Sequence, residues 1–189
     1  MSLQVCRLPL ATNVGVFSAE YTDGGLAGLS FPLTAIPQSP PAAGRSPTPE
    51  IRRWHDLTTQ AVTTALAGKT PAQLPPLDLT NGTEFQQHVW RALQNIPAGQ
   101  TRSYGQVAAA IGRPTAARAV GAACGANPLP LLIPCHRVLA ANGKLGGFSG
   151  GLEWKILLLE REAMEQGVSS IRFNQELFYF SFEAYFWAR

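Results

Sequence analysis

From Phe85 to Gly150, 66 residues of a 189-residue chain contain no Asp and no Glu. The same stretch holds Arg91, Arg102, Arg113, Arg118, Arg137 and Lys144. Residues 1–81 balance five basic against five acidic side chains, and residues 166–189 balance two against two, so the net charge of +3 conceals a strongly local excess. Solvated surfaces normally mix both signs, and an acid-free, basic stretch fits a face that meets phosphates. A chance asymmetry of composition is the competing reading. Charge is scarce overall, 14% against 46% hydrophobic residues. That composition excludes disorder as the main state, and the length suffices for one ordinary domain or two small ones.

Cysteine is scarce too. Cys6, Cys124 and Cys135 are scattered and form no CxxC pair, which excludes a disulfide framework and a zinc knuckle and points to a reducing compartment. Cys6, His55 and His88 show no ligand spacing, so neither a structural metal nor a cofactor is expected. The N-terminus lacks the basic and apolar regions of a signal peptide, and no run of about eighteen apolar residues occurs. The expectation is a soluble, cytoplasmic protein without a membrane partner.

Between Leu3 and Leu33, short apolar runs are broken at Thr12-Asn13 and at Asp23-Gly24-Gly25, which predicts a small antiparallel meander. Pro37, Pro40, Pro41, Pro47 and Pro49 mark a connection too rich in proline for a helix. Glu50 to Ala67 then shows helical spacing, with Ile51, Trp54, Leu57, Ala61, Val62, Ala65 and Leu66 on one side. Pro71, Pro75 and Pro76 form a second linker, and a domain boundary falls near residue 80. Beyond it, Thr83 with Gln86 and Ser103 with Gln106 have capping-box spacing and introduce two helices. Gly112-Arg113-Pro114 is a turn, and Thr115 to Gly125 is built almost wholly of Ala and Gly around Arg118. Helix, turn and small-residue helix outline a helix-turn-helix, although plain helix packing has the same outline. Asn142-Gly143 predicts a turn, 146–151 a flexible glycine loop, and Leu152 to Met164 a last amphipathic helix. The division expected is 1–80, 81–165 and an extension, 166–189, that holds eight of the 17 aromatics. This extension packs on the first domain or on a partner, or is a non-native addition; both readings stay open.

Cys135 stands between Pro134 and His136, and a Cys in apolar surroundings is often an inert core residue. His136 and Arg137 move it toward reactivity, because a nucleophilic thiol needs a positive or proton-accepting neighbour. In an extended segment adjacent side chains point to opposite faces, so His136 is expected to act through a water or after a local bend. A carboxylate to orient the imidazole must come from elsewhere, with Glu160, Glu162 and Glu165 as candidates.

The string Ile133-Pro134-Cys135-His136-Arg137-Val138, preceded by Ala117-Arg118-Ala119-Val120-Gly121 and Asn127-Pro128 and followed by Phe148-Ser149-Gly150-Gly151, resembles the O6-alkylguanine-DNA alkyltransferases. The resemblance runs from about Gly82 to Glu162. It implies a ribonuclease-H-like α/β first domain, with a small antiparallel sheet plus helix, and a mainly α, winged-helix-like second domain containing the helix-turn-helix. The implied reaction is irreversible transfer of the alkyl group from O6-alkylguanine, and from O4-alkylthymine, to Cys135, one turnover per molecule.

By the same resemblance His136 is the base acting through a water, Glu162 polarises it, and Asn127 braces the turn. Tyr104 helps rotate the target phosphate and protonates the leaving guanine at N3. Ser149 and the carbonyls of Cys135 and Val138 read the guanine edge, with Phe148, a Tyr in many relatives, and Pro130 completing the pocket. Arg118 fills the gap left by the flipped nucleotide, and Ala117, Ala119, Gly121 and Arg102 belong to the DNA-binding set.

The implied partner is duplex DNA carrying O6-alkylguanine, met in the minor groove by a monomer. A slim helix poor in polar side chains reads little sequence, and extruding a base costs less when it is damaged. Cys124 reads as a packing residue. A non-catalytic lesion sensor is the main alternative, although alkyltransferase-like sensors lack the Cys, and a thiol hydrolase is a second.

Overall fold

The computed structural model describes residues 5–32, 45–141 and 143–167. Pro37, Pro40 and Pro41 of the proline-rich connection, Asn142 of the Asn142-Gly143 turn and the aromatic segment 171–189 lie outside the described residues.

Three antiparallel strands open the fold in the order β1 (Cys6–Thr12), β2 (Gly15–Thr22), β3 (Gly25–Ser30). Side chains on one face of a strand recur at every second residue, which buries Cys6 and Leu10 on β1 and Phe17, Ala19 and Tyr21 on β2. Pro9 is tolerated because β1 is an edge strand of this sheet. The other edge of the sheet is covered. Leu26 donates to the Pro76 carbonyl and accepts from Asp78, and the Leu29 N–H donates to the Pro128 carbonyl at 2.9 Å.

Helix α1 (Pro49–Leu66) is capped by Thr48, whose hydroxyl accepts from the Ile51 N–H, with Pro49 at its first position. Its buried face differs from the expected one at one position. Thr58 is fully buried and Leu57 half-buried, because the Thr58 hydroxyl donates to the Trp54 carbonyl and accepts from Tyr21. A buried hydroxyl is tolerated when its hydrogen bonds are made.

Both capping boxes form, at the starts of α2 (Glu84–Gln94) and α3 (Tyr104–Ala110). The small-residue helix α4 (Ala117–Gly125) begins two residues later than its composition suggests. The Trp90 indole donates to the Ala123 carbonyl at 2.8 Å and ties α2 to α4. Helix α5 (Leu152–Glu165) follows the glycine loop, and its Arg161 donates to the Leu66 carbonyl at the end of α1. The remaining strands are two-residue pieces, β4 (Arg102–Ser103) and β5 (Val138–Leu139), paired in parallel. Buried side chains form one contiguous cluster reaching from Cys6 to Leu158, across residue 80.

The segment around Cys135 is not extended as expected. Residues Cys135–Arg137 form a single 3-10 turn, with the Arg137 N–H donating to the Pro134 carbonyl and the Val138 N–H to that of Cys135. Pro134 and a tight loop before it impose the bend. In that loop Leu131 adopts a φ of 79°, a left-handed conformation costly for a residue with a side chain.

Candidate active site

Asn127 organises the loop. Its Oδ1 accepts from the Leu129 N–H at 3.0 Å, while Nδ2 donates to the Ile133 carbonyl at 2.8 Å and to Cys135 Sγ at 3.1 Å. One buried amide therefore closes the turn and touches the thiol it presents. Burial pushes the Cys135 thiol up, and the Asn127 hydrogen bond and the Lys155 charge work against that rise.

Behind Cys135 lies a buried cluster of His136, Arg137 and Glu162, each 6% exposed or less. Glu162, on the inward face of α5, accepts from His136 Nε2 at 2.8 Å, from Arg137 Nε and Nη2, and from the Gly99 N–H at 3.0 Å. Arg137 also donates to the Ile96 carbonyl. Burial favours the neutral acid, but the hydrogen bonds and charges of His136 and Arg137 overcome it and hold the Glu162 carboxyl down at about 2. Burial lowers the His136 pKa despite the carboxylate, so the ring is neutral at pH 7. An ionised carboxylate is acceptor-only, so Nε2 carries the proton and Nδ1 presents a lone pair. That Nδ1 is buried and has no hydrogen-bond partner among the described residues. A neutral imidazole in this tautomer is a proton acceptor. Of the other candidate carboxylates, Glu165 pairs with Lys69 at the surface.

In front of Cys135 opens a cleft of about 760 Å³. Helix α4 forms one wall through Ala117, Arg118, Gly121, Cys124 and Gly125. The loop Gly146–Ser149 forms another, with Tyr104 of α3 between them and Ala140 and Ala141 at the rim. Gly146 has a φ of +67°, and a Cβ there would lie 2.8 Å from the Tyr104 hydroxyl, so this wall requires glycine. Burial raises the Tyr104 pKa, which keeps its hydroxyl protonated.

Among the residues expected at the site, Cys135, Tyr104, Arg118, Ala117, Gly121, Phe148 and Ser149 line this cleft. Val138 and Pro130 are buried and do not line it. Ala119 and Arg102 are exposed outside it, and Asn127, His136 and Glu162 stand behind the thiol. Cys124, expected only to pack, is a buried member of the wall, its thiol pushed up to about 12 by burial.

Lys155 was not expected at the site. It is fully buried on α5, and its Nζ donates to the carbonyls of Val138, Leu145 and Gly147. The ammonium thus pins the glycine loop to the strand that follows the 3-10 turn. A signal for it exists in the sequence: Lys155, Leu158, Leu159 and Glu162 follow the spacing of a buried helical stripe, and two of the four are charged. Among the described residues no group of three or more His, Cys, Asp or Glu side chains is placed to hold a metal ion. None of the described helices is long and apolar enough to cross a membrane.

Residues 84–164 match the family profile described as 6-O-methylguanine DNA methyltransferase, DNA binding domain. A methylated-DNA-protein-cysteine methyltransferase of Mycolicibacterium paratuberculosis is 55% identical over 98 residues, 52% of this chain and 59% of that protein. One from Salmonella typhimurium is 58% identical over 83 residues, 44% of this chain and 48% of that protein. The chain therefore spans about half the length of the curated relatives it matches. Likeness to solved structures extends further. Mycobacterium tuberculosis OGT in complex with DNA is 37% identical with a TM-score of 0.68, over 84% of this chain and 93% of that one. An O6-methylguanine DNA methyltransferase of Methanococcus jannaschii is 26% identical with a TM-score of 0.58, over 90% and 100%. With nearly all of a 37% identical relative covered, the chain belongs to the O6-methylguanine-DNA methyltransferase family.

Proposed function

We propose that this protein repairs DNA by transferring the alkyl group of O6-alkylguanine, and of O4-alkylthymine, irreversibly to Cys135. The carrying observation is a Cys135 thiol that lines an open cleft and is held by Asn127, followed directly in the chain by a buried imidazole hydrogen-bonded to the Glu162 carboxylate. The target base leaves the helix and enters the cleft, where Ser149 and the Cys135 carbonyl read its edge beside Phe148, while Pro130 and the Val138 carbonyl, which Lys155 holds, act from behind that lining. His136 Nδ1 takes the thiol proton through a water, and Glu162 stabilises the imidazolium that forms. The thiolate then attacks the alkyl carbon as the C–O6 bond breaks. The electron pair of that bond returns to the guanine, which the Tyr104 hydroxyl protonates at N3. The product thioether is inert to water, so each molecule acts once, without a cofactor. Transfer of a labelled methyl group from duplex DNA to the protein tests this reading.

Arg91, Arg102, Arg113 and Arg118 of the acid-free stretch are exposed and support duplex DNA as the partner, whereas Arg137 is buried against Glu162. Helix α4 enters the minor groove with Ala117, Ala119 and Gly121 against the backbone, Arg102 contributes a phosphate contact, and Arg118 occupies the space of the extruded base. Readout of sequence is weak, since the helix offers few polar side chains to base edges. We assign a ribonuclease-H-like unit to 1–80 and a winged-helix-like catalytic unit to 81–165, acting as a cytoplasmic monomer.

Two expected results follow from the walls of the cleft. Arg118→Ala leaves stability within about 0.5 kcal/mol, because the side chain is exposed. It slows transfer from duplex DNA roughly 10- to 100-fold, since extrusion costs about a few kcal/mol, and leaves transfer from the free base unchanged. Equal losses on both substrates would remove Arg118 from base extrusion.

Lys155→Met leaves the buried carbonyls of Val138 and Leu145 without this donor, each worth about 1–3 kcal/mol, and frees the part-buried Gly147 carbonyl; it is expected to lower the unfolding free energy by several kcal/mol and to slow transfer. Burial brings the Lys155 pKa down to about 8. Below that pH the ammonium serves all three carbonyls; above it a neutral amine has two hydrogens for three acceptors. The wild-type transfer rate should therefore decline above about pH 8, opposite to the trend in thiolate population. A rate that climbs steadily to pH 10 would contradict this role.

A further inference from the structure

Four of the six residues from Gly146 to Gly151 are glycine. Such a loop has little intrinsic shape, and its shape must be imposed by neighbours. Lys155 holds its beginning through the Leu145 and Gly147 carbonyls. Its second half rests on the first unit of the fold. The Phe31 ring, one residue past β3, lies 5.6 Å from the Phe148 ring at 65° and 4.8 Å from Trp154. Phe17 completes the group, 5.6 Å from Phe31 and 5.7 Å from Trp154. A Cβ on Gly150 would lie 2.5 Å from Phe31 ring carbons, so the loop backbone sits flush on that ring. On its other side Phe148 meets the His136 ring at 6.4 Å and 88°. The same strand end reaches the thiol by a second route, through the Leu29 bond to Pro128 next to Asn127.

We propose that Phe31 is a positioning residue for the transfer reaction: it holds Phe148 against His136 and keeps the Phe148–Gly150 loop closed over Cys135. The inference rests on the alkyl-transfer reading. Phe31 does not line the cleft, so it acts through Phe148. Edge-to-face aromatic contacts are directional, and a reactive group is held in place only as well as its supporting shell. The first unit of the fold is thereby part of the reactive site.

Two measurements on the full chain test this. Single-turnover transfer from duplex O6-methylguanine in excess gives a maximal rate and a half-saturating concentration; alkylation of Cys135 by iodoacetamide without DNA reports loop closure independently of repair. Phe31→Leu keeps apolar volume and loses the ring. Its maximal rate should fall roughly 10- to 100-fold, as expected for small misplacement of a reacting group, with half-saturation unchanged and iodoacetamide labelling several-fold faster. Gly150→Ala, which pushes on Phe31 from the loop side, should do the same. Phe31→Tyr should restore both readouts, and Val16→Ala, on an exposed site of the same sheet, should alter neither. Wild-type rates and labelling in both Phe31→Leu and Gly150→Ala would overturn the proposal, as would losses that only track the unfolded fraction. If wild type transfers no label, the alkyl-transfer reading fails, and the labelling contrast between wild type and Phe31→Leu still decides whether Phe31 shapes the site.

Discussion

Replacing Cys135 with Ser should reduce alkyl transfer by at least about 1000-fold, the scale on which removing a nucleophile acts. A hydroxyl at this position faces the same Asn127 amide, but it gives up its proton far less readily than a thiol and is the weaker nucleophile. The fold should tolerate the change, because the Asn127 Nδ2 donor still finds an acceptor and stability shifts by about 1 kcal/mol. Affinity for DNA carrying O6-methylguanine should persist, since Arg118 and α4 are untouched, and fluorescence anisotropy with labelled duplex measures it. Loss of both binding and transfer would show that the thiol supports the fold rather than the chemistry.

Glu162→Gln should produce the second large effect, on stability and rate together. The carboxylate is the counter-charge for Arg137, which is 6% exposed. Removing one partner of a buried ion pair costs about 3–5 kcal/mol. For a chain of this size that lowers Tm by roughly 6–20 °C. The rate should fall by about 100- to 10,000-fold, the range ascribed to a positioned general base, because the amide oxygen must serve His136, Arg137 and Gly99 without a charge. The pH dependence of stability carries the sign. The Glu162 carboxyl sits at about 2 in the fold against an ordinary 4.5, so its stabilisation is complete above pH 4.5 and disappears as pH falls toward 2. Glu162→Gln should flatten that acid limb. A Tm within a few degrees of wild type would mean that Arg137 finds its counter-charge elsewhere.

Much of this was legible in the sequence where local chemistry dominates. Thr83 with Gln86 and Ser103 with Gln106 announce helix starts because a capping box is satisfied within four residues. Meander turns, the small-residue helix and the reactive string were readable for the same reason. What escaped depends on residues far apart in the chain. Cys135 to Arg137 turn in 3-10 form because Asn127, eight residues upstream of the thiol, draws the loop closed. Pattern alone does not separate Glu162 from Glu160 and Glu165, since a helical pattern fixes a residue to a face but not to a partner; the family resemblance singles it out, and α5 turns it toward His136 and Arg137. Lys155 shows the limit most plainly. Its acceptors are main-chain carbonyls, groups every residue carries, so no side-chain motif announces them. Phe31 likewise appears as one more apolar residue after a strand until its ring is found against Phe148.

The most direct measurement incubates this protein with an excess of duplex DNA carrying methyl-labelled O6-methylguanine and follows label in protein and DNA. The label should move to the protein at one methyl group per molecule and stop, and peptide mapping should place it on the sulfur of Cys135. Label released as a small molecule over many turnovers, or carried at equal stoichiometry by Cys135→Ser, would contradict irreversible transfer to this thiol.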